Sequence, residues 1–208
     1  MTLRLYRHRL SGHAHRAELA LSLLGLPHEL VDVDLAAREH KTPEFLACHP
    51  FGQLPLLDDD GHHVWDSTAI LVYLASKYDA DGAWLPRDAA GRAAVQGWLS
   101  VASSLIAYGP AAARVAVLFR TGADTTEAIA RAHGLFKVMD GELARRPFLV
   151  GGRPTLADIA AYSYTANAPE GHVDLSPYGA LRAWLARVEA LPGFVQFPTS
   201  AVGLRAAA

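Results

Sequence analysis

An α/β unit followed by an all-helical unit is the fold class this sequence predicts, on three observations. Short β-type segments alternate with helical ones through residue 79. A run punctuated by Asp81, Gly82, Pro86 and Asp88 then interrupts the pattern. Beyond it Ala, Leu and Arg dominate and no strand signal returns. The expected division is an α/β domain over 1–79, a linker over 80–88 and an all-helical domain over 89–208.

Each element has a local reason. Residues 3–6 alternate and are few, as a strand does. A polar loop follows over 7–12. Residues 13–24 put Ala14, Ala17, Leu21 and Leu24 on one helical stripe, and Gly25 then Pro27 supply stop signals. Residues 30–33 read as a second strand, and the strand–helix–strand order favours a parallel pair with a right-handed crossover. Thr42 and Pro43 open a short helix as its cap and first residue. Residues 54–57 and 63–65 form a hairpin around a turn over 58–61. Ile70, Leu71 and Leu74 give a third helix its apolar face, ending near Tyr78. In the second unit, 89–120 is helical with a break at Gly109 and Pro110. Residues 125–143 and 178–190 are further helices. Between them Thr155 and Asp158 make a capping box, a structural role. The tail over 199–208 carries weak signals and is expected to fray.

Composition narrows the function classes. Of 208 residues, 51% are hydrophobic and 19% charged, which suits a folded chain with a sizeable core. A net charge of −2 supplies no electrostatic pull toward nucleic acid or an anionic membrane surface. No uncharged apolar run of about 18 residues is apparent, so no membrane span is predicted. The single cysteine, Cys48, excludes an intramolecular disulfide and fits a cytoplasmic location. It reads as a packed residue, and so does Tyr6. His13-x-His15 and His62-His63 do not have a metal-site spacing, so no metal is predicted.

The most informative stretch is 51–67, FGQLPLLDDDGHHVWDS. Pro55 has no N–H for a sheet ladder and belongs at a strand's first residue. An X-Pro bond adopts the cis form at a cost of roughly 0.5–1 kcal/mol, which turns the Leu54 backbone outward. Asp66 and Ser67 open a helix, where unpaired N–H groups and the dipole favour anions. A strand backbone beside such a helix start suits a small peptide-like ligand.

These pieces together resemble a cytosolic glutathione S-transferase of bacterial, serine type over nearly the whole chain. The resemblance is carried by Ser11-Gly12 before the first helix, Gly-Gln-Leu-Pro at 52–55, residues 66–70 opening the third helix, and Thr155-x-x-Asp158. It implies a thioredoxin-like N-terminal domain, an all-helical C-terminal domain and a homodimer. The implied activity is conjugation of the glutathione thiolate to small hydrophobic electrophiles. A free thiol has a pKa of roughly 8.5, so only a few per cent is thiolate at pH 7. By position Ser11 would donate a hydrogen bond to the sulfur. Lowering that pKa by about 2 units takes roughly 2.7 kcal/mol, within reach of one charge-assisted hydrogen bond and a helix end.

The resemblance also places the rest of glutathione. The Leu54 backbone, with cis Pro55, would pair with the cysteinyl residue. Asp66 and Ser67 would hold the γ-glutamyl end with Gln53 alongside, and His40 and Lys41 the glycyl carboxylate. The electrophile would meet Arg9, Leu10, Ser104, Leu105 and Tyr108 between the domains. Some features depart from the family pattern. No acid lies between Asp88 and Asp124, so the carboxylate contact from a partner subunit's first long helix is either absent or replaced by Ser103 or Ser104. Asp66 stands where Glu or Gln is common. The Ser-Cys-rich loop of maleylacetoacetate isomerases is missing, which disfavours that activity. Two alternatives stay open: a glutathione-dependent peroxidase or disulfide reductase, and a glutathione-binding protein without turnover.

Overall fold

The computed structural model describes residues 3–207. The α/β half runs β1 (Leu3–Arg7), α1 (Gly12–Leu23), β2 (His28–Asp32), α2 (Pro43–Cys48), β3 (Leu56–Asp59), β4 (His62–Trp65) and α3 (Ser67–Tyr78). The sheet order is β2-β1-β3-β4. β1 and β2 are parallel, with Leu5 opposite Leu30, and β3 is antiparallel to both β1 and β4. The helical half runs α4 (Ala89–Ser103), α5 (Ala112–Leu118), α6 (Thr126–Leu143), α7 (Leu156–Ala166) and α8 (Gly179–Glu189). This is the expected division into a thioredoxin-like α/β domain and an all-helical domain.

The hairpin differs from its expected register. Its first strand is Leu56–Asp59 rather than 54–57, because the ladder starts only after Pro55. The turn is Asp60-Gly61, both at positive φ (50° and 90°), as a tight two-residue hairpin turn requires. Asp58 and Asp59, expected in the turn, are buried in the strand. Asp59 can stay there because Tyr73, Tyr78 and Lys77 of α3 all donate to its Oδ2 at 2.6–2.8 Å.

α1 is buried well beyond the expected stripe. Ala14, Ala17 and Leu21 are fully enclosed, and so are His15, Arg16, Leu19 and Ala20. A helix covered on nearly all sides is a core helix, and α1 lies between the sheet, α3 and α7. A Cβ on Gly12 would stand 2.7 Å from the Tyr164 ring of α7, so the two helices meet closer there than any other residue allows. One continuous set of buried side chains links the halves, from Leu5, Leu57 and Ile70 to Leu99, Phe136 and Trp184.

The long helical run also corrects an expectation. By length and composition the stretch Ala89–Leu118, which contains an 18-residue window of mean hydropathy 1.5, could cross a membrane. Polar Gln96 and Ser100 hide this in the sequence, where residues 93–113 carry no charge. In the fold the run is broken at Ser104 (φ −119°, ψ −84°) and at Gly109 (φ −104°, ψ −105°), and α4 packs on α7 as core helices do. Over its described residues, 199–207, the tail is not frayed; residue 208 lies outside them. It folds into a 3-10 turn, Gly203–Ala207, and Arg205 bonds to Glu170 and the Ala166 carbonyl.

Candidate active site

A cleft of about 710 Å³ opens where the end of β1, the start of α3 and the helical half converge. Ser11 is one of the residues that line it. It is the N-cap of α1, and its Oγ accepts from the Ala14 N–H at 3.2 Å. That leaves the hydroxyl hydrogen to point elsewhere. The loop before it is tied down: the Ser11 N–H donates to the His8 carbonyl at 2.9 Å, and Arg114 donates to the Leu10 carbonyl at 2.8 Å.

Gln53, Leu54, Pro55, Asp66 and Ser67 line the same cleft. The Leu54–Pro55 peptide is cis. Gly52, just before, sits at φ +53° with its Cα against the His40 carbonyl; a Cβ there would stand 2.5 Å from that oxygen. Asp66 caps α3: its Oδ1 accepts from the Thr68 and Ala69 N–H groups at 2.9 and 3.0 Å and from the Thr68 hydroxyl at 2.6 Å. Burial would raise its carboxyl, but the bonds from Thr68 and Ala69 and the charge of Arg16 hold it below the ordinary range. Asp66 is at φ +70°, ψ 127°, a conformation that costs about 1–3 kcal/mol in a non-glycine residue. Ser67 is buried, accepts from Arg16 Nη1 at 3.3 Å and stands 3.5 Å from His13 Nδ1.

His40 and Lys41 also line the cleft. Lys41 Nζ is engaged by the carbonyls of Phe51 and Gly52 at 2.9 and 2.8 Å, so it braces the loop that carries Gln53 and Leu54. The Nδ1 of His40 is buried and has no hydrogen-bond partner. Burial, with Lys41 and Arg38 nearby, lowers its pKa.

The residues expected around the electrophile separate. Leu10 lines the cleft, while Arg9 faces a smaller neighbouring cavity. Ser104, Leu105 and Tyr108 are not among the lining residues; Leu105 and Tyr108 are exposed between the two breaks in the long helical run. The helical wall comes instead from Val115 and Phe119 at the end of α5 and from Tyr164. Apolar residues on a helix look like core in a sequence, so no signal marked Val115 or Phe119. His13 was likewise unmarked. Its ring stands edge-on to Tyr164 at 5.0 Å, and burial, then Arg16, drops its pKa to about 3. It is a neutral imidazole at physiological pH. His13 and His15 do not converge: His15 bonds Ser163 Oγ at 2.8 Å and the Val195 carbonyl at 2.9 Å. Cys48 and Tyr6 line a different cavity.

The geometry has counterparts of known identity. Residues 1–76 match the family model for the glutathione S-transferase N-terminal domain, and residues 107–192 that for the C-terminal domain. Glutathione S-transferase 3 of Zea mays is 34% identical over 204 residues, covering 92% of this chain and 91% of the relative. The human glutathione S-transferase theta-2 is 33% identical over 81% of this chain and 73% of its own. A maleylacetoacetate isomerase of Rhizobium meliloti (strain 1021) is 35% identical over 83% of this chain and 84% of its own. The crystal structure of a glutathione S-transferase from Pseudomonas fluorescens superposes with a TM-score of 0.87 at 34% identity, covering 94% of this chain and 98% of the other. With both family models matched in order around one cleft, the chain belongs to the glutathione S-transferase family.

Proposed function

We propose that the protein conjugates the thiolate of glutathione to small, uncharged hydrophobic electrophiles, using a serine-type site. The observation that carries this is the placing of Ser11, Leu54-Pro55 and Asp66-Ser67 on one cleft. The tripeptide runs across it. Ser67 and the free Oδ2 edge of Asp66 take the γ-glutamyl end, Leu54 the cysteinyl backbone, Gln53 lies alongside, and His40 meets the glycyl carboxylate with Lys41 adding charge. Ser11 Oγ already accepts from Ala14, so its hydrogen is the donor available to the sulfur. The thiol proton passes to solvent; the thiolate sulfur then bonds to the electrophilic carbon, and either a leaving group departs to solvent with the bonding electrons or, in an addition, the resulting anion takes up a proton from solvent. Leu10, Val115 and Phe119 supply an apolar wall without a charged group, which suits an uncharged co-substrate.

The loop over residues 7–12, RHRLSG, has one serine and no cysteine. That supports conjugation over isomerisation of the maleylacetoacetate type. A homodimer in the cytoplasm is part of the same proposal; exposed Leu105 and Tyr108 lie outside the cleft and are available to a second copy. Light scattering giving a monomer at micromolar concentration would remove that part.

Conjugation assays with a panel of electrophiles test the reading. Ser11→Ala is expected to lower kcat/KM by about 10- to 100-fold, the worth of a hydrogen bond to a charged group. It should raise the pKa of bound glutathione by about 1–2 units. Ser11→Thr, which keeps hydroxyl and cap, should retain most of the rate. Glutathione binding by calorimetry with no turnover on any electrophile favours a binding protein instead, and turnover of hydroperoxides alone favours a peroxidase.

A further inference from the structure

The loop that presents Ser11 is held from behind by a buried charge pair. Arg114 and Glu170 have no exposed side-chain surface, and Arg114 Nε donates to Glu170 Oε2 at 2.7 Å. The same guanidinium donates through Nη1 to the carbonyl of Leu10, the residue before Ser11. The other oxygen of Glu170 belongs to the tail: Oε1 accepts from the Ser200 N–H at 2.8 Å and from Arg205 Nη1 at 3.3 Å. Arg205 also donates to the Ala166 carbonyl at 2.9 Å, at the end of α7. Phe197 adds ring contacts, with the Arg114 guanidinium 4.8 Å from its ring centre and His15 of α1 stacked on it at 4.8 Å. Gly203 stands so close to Glu170 that a Cβ would lie 2.4 Å from its carbonyl oxygen. Ser200 and Arg205 are therefore linked to the Leu10–Ser11 loop by a chain of directed hydrogen bonds through Glu170 and Arg114.

We propose that Arg114 and Glu170 are positioning residues for the reaction, and that the C-terminal segment sets the Leu10–Ser11 loop through them. A buried ion pair adds little net stability against an apolar substitute, but its geometry is demanding. Arg114 reaches acceptors on two different elements from two nitrogens, Nε and Nη1, held at fixed spacing in one plane, a geometry that the single nitrogen of an ammonium does not reproduce. It fixes the Leu10 carbonyl and thereby the direction in which Ser11 presents its hydroxyl. The neighbouring Val115 and Leu10 both line the cleft, so the same link also sets the wall met by the electrophile. The γ-glutamyl site at Asp66-Ser67 takes its hydrogen bonds from α3 and Arg16, and none of these bonds involves Arg114, Glu170 or Arg205.

This rests on the proposed conjugation activity, and the experiment separates the two. Wild type is compared with Arg114→Lys, with Arg205→Ala, and with a chain ending at Thr199. Rates are measured with glutathione and an aromatic electrophile, and the ionisation of bound glutathione is followed by thiolate absorbance against pH. Each variant is expected to lower kcat by about tenfold or more, as small misplacements of reacting groups do. Each should also shift the ionisation midpoint upward by about half a unit or more. The calorimetric Kd for glutathione should stay within about twofold. Arg114→Lys combined with the shortened chain should lose no more than either alone, because both cut one chain of contacts. A folded variant with wild-type kcat and an unshifted midpoint overturns the positioning role, as does an equal loss of glutathione affinity. Should wild type itself conjugate nothing, the functional reading fails. Amide exchange then decides the positioning role: it requires faster exchange at residues 11–14 in Arg205→Ala and the shortened chain, and unchanged exchange overturns it.

Discussion

Arg16 holds a positive charge behind Ser67 with no exposed surface of its own. Burial lowers its pKa to about 10, with Asp66 and Tyr164 opposing the drop, so it remains a cation at physiological pH. Its one bond at Ser67 makes that oxygen an acceptor, which turns the Ser67 hydrogen outward to a ligand or to His13. Ser67→Ala removes both contacts and leaves Arg16 with one fewer acceptor among few: Nε and Nη2 already have none. Calorimetry should find glutathione binding about 10- to 100-fold weaker in Ser67→Ala. The melting temperature should fall as well, and Ser67→Thr should recover both. Ser11, Gln53, Pro55 and Ser67 were legible because short motifs carry them: a cap before a helix, a proline at a strand start. Arg16, His13 and Tyr164 were not. An arginine in a helix reads as a solvated face, and only packing against α3 and α7 makes this one internal.

At the level of elements, α7 is anchored at its start by buried hydrogen bonds. The capping box is complete, with Thr155 and Asp158 each accepting from the other's end of the first turn. Asp158 does more than cap. Its carboxylate also accepts from the Leu149 N–H at 2.9 Å and from Trp184 Nε1 of α8 at 2.8 Å, all inside the core. Asp158→Ala strands three buried donors, each worth about 1–3 kcal/mol when left unpaired, so urea unfolding should report a loss of roughly 3 kcal/mol or more. That exceeds the ~1 kcal/mol of an exposed cap. Asp158→Asn keeps one acceptor and should fall between. The motif and its helix were readable in the sequence; the tie to Trp184 was not, because 26 residues separate the pair. The same limit explains the hairpin. Asp58 and Asp59 carry turn chemistry locally, and only the distant Tyr73, Lys77 and Tyr78 make Asp59 a strand residue.

Across the whole molecule, α1 ties acid stability to the joining of the two halves. His15 is buried against Phe197, and burial is the main cause lowering its pKa to about 4. Its Nε2 must carry the hydrogen that the Val195 carbonyl accepts, and Nδ1 then accepts from Ser163. The unfolded chain binds a proton at this group below pH 6.5, whereas the folded chain does so only near 4. Stability is therefore full above pH 6.5 and falls as pH drops from there toward 4, by roughly 3 kcal/mol from His15 alone. Urea unfolding at pH 7 and pH 4.5 should record this, and His15→Gln should be weaker at pH 7 yet lose less on acidification. The division into an α/β and a helical half was visible in composition, but the shared core was not, since no local pattern says which helix faces another. The contact of Gly12 with Tyr164 makes the two halves a matched set. Recombining either half with that of a relative would carry over every motif and still fail where residue 12 has a side chain or residue 164 a differently placed ring. A chimera should fold when those two positions travel together, so the unit of exchange in this protein is the seam and not the domain.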